Sequence, residues 1–324
     1  MRIGFAGYLN KDVGASGYYI SESLKQMGHE VYEFDYRKTL DIGKYATLAD
    51  MNKGFFNEFV NAPIDALLIF KGELLHPGVV RAVADQTQVP TILWYPDELY
   101  MYDWEINLMQ GFDHVFVIQD TAIHGLKLHG INAHYLVEGC FPELQKPLEP
   151  TPMDIDKYGA DVMFAGTPYH RNYWLLEVLY HCLEKNLKFR LWGNGWWDTI
   201  LAGLWEKRPV YNLEHSMAVS ASKICLELSS PPTKVGGRIF QELAMGGLLI
   251  TENLNCLTKW GLKSGEHYIG YYPDDHEGLL SLIDLVMQDP EGYRHIRENA
   301  RKFAHEKNTY IDRLKQMFKE IDLK

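Results

Sequence analysis

"KICLELSSPPTKVGGRIFQELAMGGLLIT", residues 223–251, carries the pattern from which the fold is read. "KICLELS" has the near-continuous apolar run of a buried strand. "PPTKVGG" is a loop stiffened by prolines, with two adjacent glycines between Lys234 and Arg238. From Arg238 the spacing predicts a helix that ends at Gly246–Gly247, the usual place for a left-handed cap. "LLIT" is the next strand. Strand, glycine-rich loop, helix and strand in this order make a βαβ unit, hence a parallel sheet.

The same stretch has a chemical reading. A helix N-terminus exposes free N–H groups and the positive end of the helix dipole, which favours an anion. Gly236 and Gly237 would let a ligand approach the backbone closely. Lys234 and Arg238 add charge on either side, at the carboxyl end of a strand, where ligands bind in open α/β sheets. The competing reading is a tight turn with solvent-facing cations, because a short glycine motif alone has low specificity.

The alternation extends in both directions. "RIGFAG", "EVYEFDY", "DALLIF", "PTILWYP" and "HVFVIQ" read as strands, with helical stretches such as "GYYISESLKQMGH" and "TAIHGLKLHG" beside them. The segment "FPELQKPLEPTPMDIDKYG" holds four prolines and little periodicity, and reads as an exposed linker. Beyond it the alternation restarts with "ADVMFAG", "RNYWLLEVLYHCLEKN" and "KFRLWG". The expected class is therefore α/β, with two doubly wound domains over residues 1–150 and 151–308. "YIDRLKQMFKEIDL" predicts a last helix over 309–324, with Ile311, Leu314, Phe318 and Ile321 on its apolar face, a solvated cationic face opposite, and a place near the hinge.

Composition narrows the function. At 324 residues, with 46% hydrophobic residues, the chain suits two packed cores. Its net charge of −11 argues against a large nucleic-acid footprint. No apolar run is long enough to span a bilayer, and the start lacks a signal-peptide core. Four cysteines without CxxC spacing suit a reducing cytoplasm better than a zinc site or a disulfide framework. None of the thirteen histidines has metal-ligand spacing on a helix beside a carboxylate, so no metal is expected. GxSxG and P-loop motifs are absent.

Two further loops bear on an anion. "DVMFAGTPYHRNYW" places Gly166 and Thr167 in a turn and Arg171 at a helix start, where the dipole disfavours a cation unless an anion is present. "LWGNGWWD" offers Gly193, Asn194 and Gly195 before Trp196 and Trp197. Those tryptophans either edge a base or sugar or pack the core.

Taken together, "FAGTPYHRNYW", "LWGNGWW" and "GRIFQELAMGGLLIT" resemble the C-terminal half of the group 1 glycosyltransferases, and most closely the branch of spore-maturation-type proteins, over about residues 160–275. The resemblance implies the GT-B fold, two Rossmann-like domains facing across a cleft. It implies a nucleotide-diphosphate sugar held by the second domain and an acceptor held mainly by the first. It implies no cofactor and no metal, because cations and a helix dipole stabilise the leaving diphosphate. One departure stands out. The family's ribose-binding glutamate falls on Gln241, with Glu242 beside it, and the partner glutamate eight residues earlier falls on Thr233.

The expected donor site is thus Gly166, Thr167, Arg171, Gly193, Asn194, Gly236, Gly237 and Gln241 or Glu242, with Lys234 and Arg238 on the diphosphate. On the acceptor side, Gly14 and Gly17 lie in the loop after the first strand. Lys71 lies in "IFKGELLHP", able to meet phosphate or to pair with Glu73. Asp97 in "LWYPDELY" is the candidate base for an acceptor hydroxyl, or else a helix-capping residue. If configuration is retained, as the resemblance implies, the leaving phosphate can take that proton instead. A nucleotide-sugar epimerase and a non-catalytic binding protein on the same fold are the alternatives. The glycan, protein or small-molecule acceptor, the sugar and the base are not encoded legibly.

Overall fold

The computed structural model describes residues 1–168, 172–228 and 235–323. The chain divides into two compact units, Met1–Glu138 with Tyr310–Lys324, and Gly139–Thr309.

The first unit runs β1 (Arg2–Gly7), α1 (Ser16–Gln26), β2 (Glu30–Asp35), α2 (Tyr36–Asp41), α3 (Leu48–Asn61), β3 (Ala66–Phe70), α4 (Pro77–Thr87), β4 (Thr91–Tyr95), α5 (Asp103–Met109), β5 (His114–Val117), α6 (Ile123–Leu128) and β6 (Ala133–Tyr135). Its six strands lie in the order β2-β1-β3-β4-β5-β6, all parallel. Every residue of "ALLIF" in β3 and "TILWY" in β4 is buried, as a central strand covered on both faces requires.

The second unit runs α7 (Pro152–Tyr158), β7 (Val162–Ala165), α8 (Asn172–Glu184), β8 (Phe189–Trp192), α9 (Asn212–Ser220), β9 (Ile224–Glu227), α10 (Gly237–Ala244), β10 (Leu249–Glu252), α11 (Asn255–Lys259), β11 (Ile269–Tyr271), α12 (His276–Gln288) and α13 (Arg294–Lys307). Its five strands are ordered β11-β10-β9-β7-β8, again all parallel.

Both sheets reverse direction once. In the first, β1 leads to β2 on one side while β3 begins the other. In the second, β7 leads to β8 on one side while β9 begins the other. Such a switch point opens a crevice at the carboxyl ends of the two strands that flank it. The loops after β1, β3, β7 and β9 are therefore the four places to look for a site.

The proline-bearing segment is mostly exposed or partly exposed, as expected, but it is anchored on the second unit at a few points. Phe141 and Gln145 are buried. Ser216 Oγ and Ser220 Oγ accept the backbone N–H groups of Lys146 and Leu148 at 3.3 and 2.9 Å. Thr151, Pro152 and Asp154 then form a capping box that starts α7.

The last helix, α14 (Tyr310–Glu320), belongs to the first unit and packs on α1. Its buried residues are Tyr310, Arg313, Leu314, Met317 and Phe318, so its inner face is centred one position away from the expected Ile311–Ile321 stripe. Arg313, expected on the solvated face, is buried and donates to the Glu138 carbonyl at 3.3 Å. Tyr310 Oη donates to the Glu138 carboxylate at 3.0 Å.

Candidate active site

In the second unit the loops after β7 and β8 interlock. Gly166 N donates to the Trp192 carbonyl at 2.9 Å, and the Gly166 carbonyl accepts the Trp196 indole N–H at 2.8 Å. Gly193 has φ +135°, and a Cβ there would overlap the Gly166 carbonyl, so both the dihedral and the close approach demand glycine. Trp205 Nε1 donates to the Gly193 carbonyl at 2.6 Å. Only the first of the two tryptophans after this loop packs the core. Trp196 is fully buried, and Trp197 is exposed. Asn194 Nδ2 donates to Tyr211 Oη at 3.2 Å. Thr167 follows Gly166, half-buried.

Arg238, the second residue of α10, stands beside this loop. Its Nη1 donates to Glu227 Oε2 at 3.1 Å, and its guanidinium lies 5.7 Å from the centre of the Phe164 ring. A Cβ on Gly166 would come within 2.7 Å of Arg238 Nη1. Glu227 closes β9 and is almost fully buried. The cation at the helix start thus has a protein anion beside it, and the buried carboxylate has the partner it needs. A guanidinium carries five N–H donors, so it has capacity for a second anion. Sequence reasoning passed over Glu227; the signal was a carboxylate inside the apolar run "ICLEL".

The N-cap of α10 is Gly236, with no side-chain cap. By contrast, Thr47 caps α3 and Thr151 caps α7. Among the described residues, a Cβ on Gly236 would find its nearest neighbour, Glu227 Oε1, 3.8 Å away. Gly237 is the first residue of the helix, and Gly246 takes the expected left-handed conformation at φ +77°. Lys234 and Arg171 lie outside the described residues, as does Thr233.

The two ribose candidates separate. Gln241 is half-buried on α10. Glu242 is fully buried, 3.6 Å from His215 Nε2 on α9. Burial pushes the Glu242 carboxyl up, and His215 offsets part of that shift. Among the described residues neither of its oxygens has a hydrogen-bond partner. Glu242 therefore faces the interior of the unit, and Gln241 is the one with exposed surface.

In the first unit the loop after β1 holds a short 3₁₀ turn closed by Gly14 at φ +62°. Gly17 lies in the first turn of α1, where a Cβ would overlap the Tyr8 carbonyl. Both glycines thus have local structural reasons. After β3, Lys71 and Gly72 take left-handed φ values of 70° and 74°. Tyr36 Oη bridges this turn, donating to the Phe70 carbonyl at 3.0 Å and accepting from Gly72 N at 3.3 Å. Glu73 is held by Arg37 and Tyr36, so Lys71 does not pair with it. Lys71 Nζ instead meets Asp97 Oδ2 at 2.9 Å, with both side chains partly exposed. Asp97 is not a helix cap, since the next helix starts at Asp103 with Tyr102 as its N-cap. Two candidates far apart in sequence are thus brought together at the carboxyl ends of β3 and β4.

Residues 171–319 match the family described as "Glycosyl transferase-like", a stretch that takes in most of the second unit and runs into α14. No curated protein matches the chain significantly. Solved structures match over nearly the whole length. HepE of Anabaena in complex with UDP-glucose has TM-score 0.71 at 13% identity, with 99% of each chain covered. Sucrose-phosphate synthase from Thermosynechococcus elongatus has TM-score 0.69 at 14% identity, with 99% of each chain covered. A glycosyltransferase from Rickettsia africae has TM-score 0.68 at 15% identity, covering 99% of this chain and 98% of that one. The two parallel-sheet units are those of the GT-B fold. Among the described residues no helix is long and apolar enough to cross a membrane.

Proposed function

We propose that this protein transfers a sugar from a UDP-activated donor to a hydroxyl acceptor. The observation that carries the reading is Arg238. It sits at the uncapped N-terminus of α10 beside Gly166, where the two strands flanking the switch point of the second sheet end, inside the region matched by the glycosyltransferase family. The UDP and UDP-glucose carried by the HepE structures support uridine as the base.

In this reading the second unit binds the donor. Arg238, with Lys234 and Arg171, and the N–H groups at Gly236–Gly237 hold the diphosphate, and Gln241 meets the ribose. As the bond from the sugar C1 to the phosphate oxygen breaks, negative charge grows on the diphosphate. Fixed cations and helix N–H groups stabilise it without a metal ion. The acceptor oxygen bonds to C1 on the face the phosphate leaves, and its proton passes to the departing phosphate oxygen, so configuration is retained. Asp97, fixed by Lys71, orients the acceptor hydroxyl. The net charge of −11 supports a glycan, protein or small-molecule acceptor over DNA. The finer placement in the spore-maturation-type branch rests on the order of the three C-terminal motifs, and a cytoplasmic setting on the four free cysteines.

The test is a thermal shift with a panel of nucleotide diphosphates and nucleotide sugars, on wild type and Arg238→Ala, with EDTA throughout. A ligand at a hundred times its Kd stabilises by about 2.7 kcal/mol. The expected result is a shift with uridine nucleotides that Arg238→Ala abolishes, and UDP release in the presence of EDTA. A folded wild type that responds to no nucleotide would overturn the reading.

A further inference from the structure

The first unit contains a cavity of about 860 Å³ that the donor chemistry does not use. It is formed by the start of α3, the loop after β3, the first turns of α4, and α5. Its size lies within the roughly 300–1,000 Å³ usual for small-molecule sites. Leu48, Phe56, Leu74, Val79, Trp104 and Leu108 supply apolar walls. Leu48 and Trp104 are 52% and 53% exposed, so two large apolar side chains of this cavity stay open to solvent.

The polar groups in the wall are largely committed elsewhere. Asn52 donates to the carbonyls of Leu48 and Leu74 and accepts from His76 N. Glu73 is taken by Arg37 and Tyr36. His76 Nδ1 accepts from Gly78 N. Lys53 is the single cation in the lining. A nucleotide diphosphate would need more positive charge than this, so the cavity suits an uncharged apolar group. Its position adjoins the acceptor-side pair of the proposed function. Glu73, part of its wall, lies two residues beyond Lys71, whose ammonium meets Asp97.

We infer that this cavity holds the apolar portion of the sugar acceptor, making the acceptor an amphiphile. Its hydroxyl-bearing head lies at Lys71–Asp97, and its alkyl or aryl tail lies against Phe56, Leu74 and Trp104. The inference rests on the glycosyltransferase reading and names the substrate class for it.

Octyl β-glucoside, below its micelle concentration, and methyl β-glucoside are the probes. Calorimetry on the wild-type chain should show the octyl compound binding at least about tenfold tighter, since each buried methylene favours the bound state. Ala82→Trp, which fills the cavity from α4, should remove that advantage while leaving the UDP thermal shift unchanged. Ala82→Leu, a smaller intrusion, should remove part of it and serves if the tryptophan variant misfolds. Equal binding of the two glucosides, or octyl binding untouched by a folded filling variant, overturns the inference. So does sedimentation with phosphatidylcholine–phosphatidylglycerol vesicles that Ala82→Trp abolishes, because the cavity would then be part of a membrane-docking face. Alkyl binding without any nucleotide response would instead sink the glycosyltransferase reading, and the acceptor role with it.

Discussion

Arg238 and Gly166 define each other's environment. The guanidinium rests where a β-carbon on residue 166 would stand, 2.7 Å from Nη1. Gly166→Ala should therefore push Arg238 off Glu227, weaken UDP binding by about tenfold, equivalent to about 1.4 kcal/mol, and lower the unfolding midpoint, because the buried Glu227 carboxylate loses its partner. Calorimetric titration with UDP beside a urea melt separates the two effects. Glu242 gives a prediction of another kind. Its carboxyl is raised by burial, so the folded state holds its proton more tightly than the unfolded chain does. Stability then falls as pH rises from the ordinary glutamate range through the raised native value. Glu242→Gln should flatten that fall and be more stable than wild type at pH 8. Urea melts at pH 5 and pH 8 would show it, and a parallel decline in both proteins would refute it. Among the described residues, His215, Glu227, Arg238 and Cys225 interact electrostatically with Glu242, and Arg297 with Cys225. The burial of Glu242 was legible in principle. It follows Ile239 by three positions and precedes Leu243, on the inner stripe of α10. The pairing of Glu227 with Arg238 was not, because a carboxylate at a strand end gives no sign of which cation will reach it.

At the scale of elements, α10 trades stability for an open N-terminus. A side-chain cap is worth a few tenths of a kcal/mol more than a glycine in the same position, and Gly236 provides none. Gly236→Asp should raise the melting temperature slightly while greatly weakening nucleotide binding, since the new carboxylate would stand where the proposed function puts the diphosphate. A variant that gains stability and keeps its UDP affinity would show that the phosphates bind elsewhere. The strands and most helices were readable from apolar runs and turn residues, because parallel strands covered on both faces leave such runs. The phase of α14 was not. Tyr310 and Arg313 bury their long apolar stems and satisfy their polar tips on Glu138, so residues that count as polar in a periodicity lie on the packed face.

For the whole molecule, the restart of strand–helix alternation announced two units, and the GT-B comparison agrees. The proline-rich segment is largely exposed, as its composition suggested, but its anchoring on Ser216 and Ser220 was not legible, because proline frequency records backbone stiffness and not what the backbone lies against. The extent of the first unit is a further matter. Residues 310–323 close over α1, with Tyr310 tilted against Tyr19 at 5.8 Å and Phe318 edge-on to His29 at 5.7 Å. The first unit is thus assembled from two stretches of chain separated by the whole of the second. During translation, the half made first is the half finished last: residues 1–138 must wait, with the α1 face bare, until 310–323 have left the ribosome. Nascent chains arrested so that the chain outside the tunnel ends at residue 309 should be cut by protease within 1–138 and resist it within 139–309. Equal resistance of both stretches would mean that the first sheet holds together without its final helix.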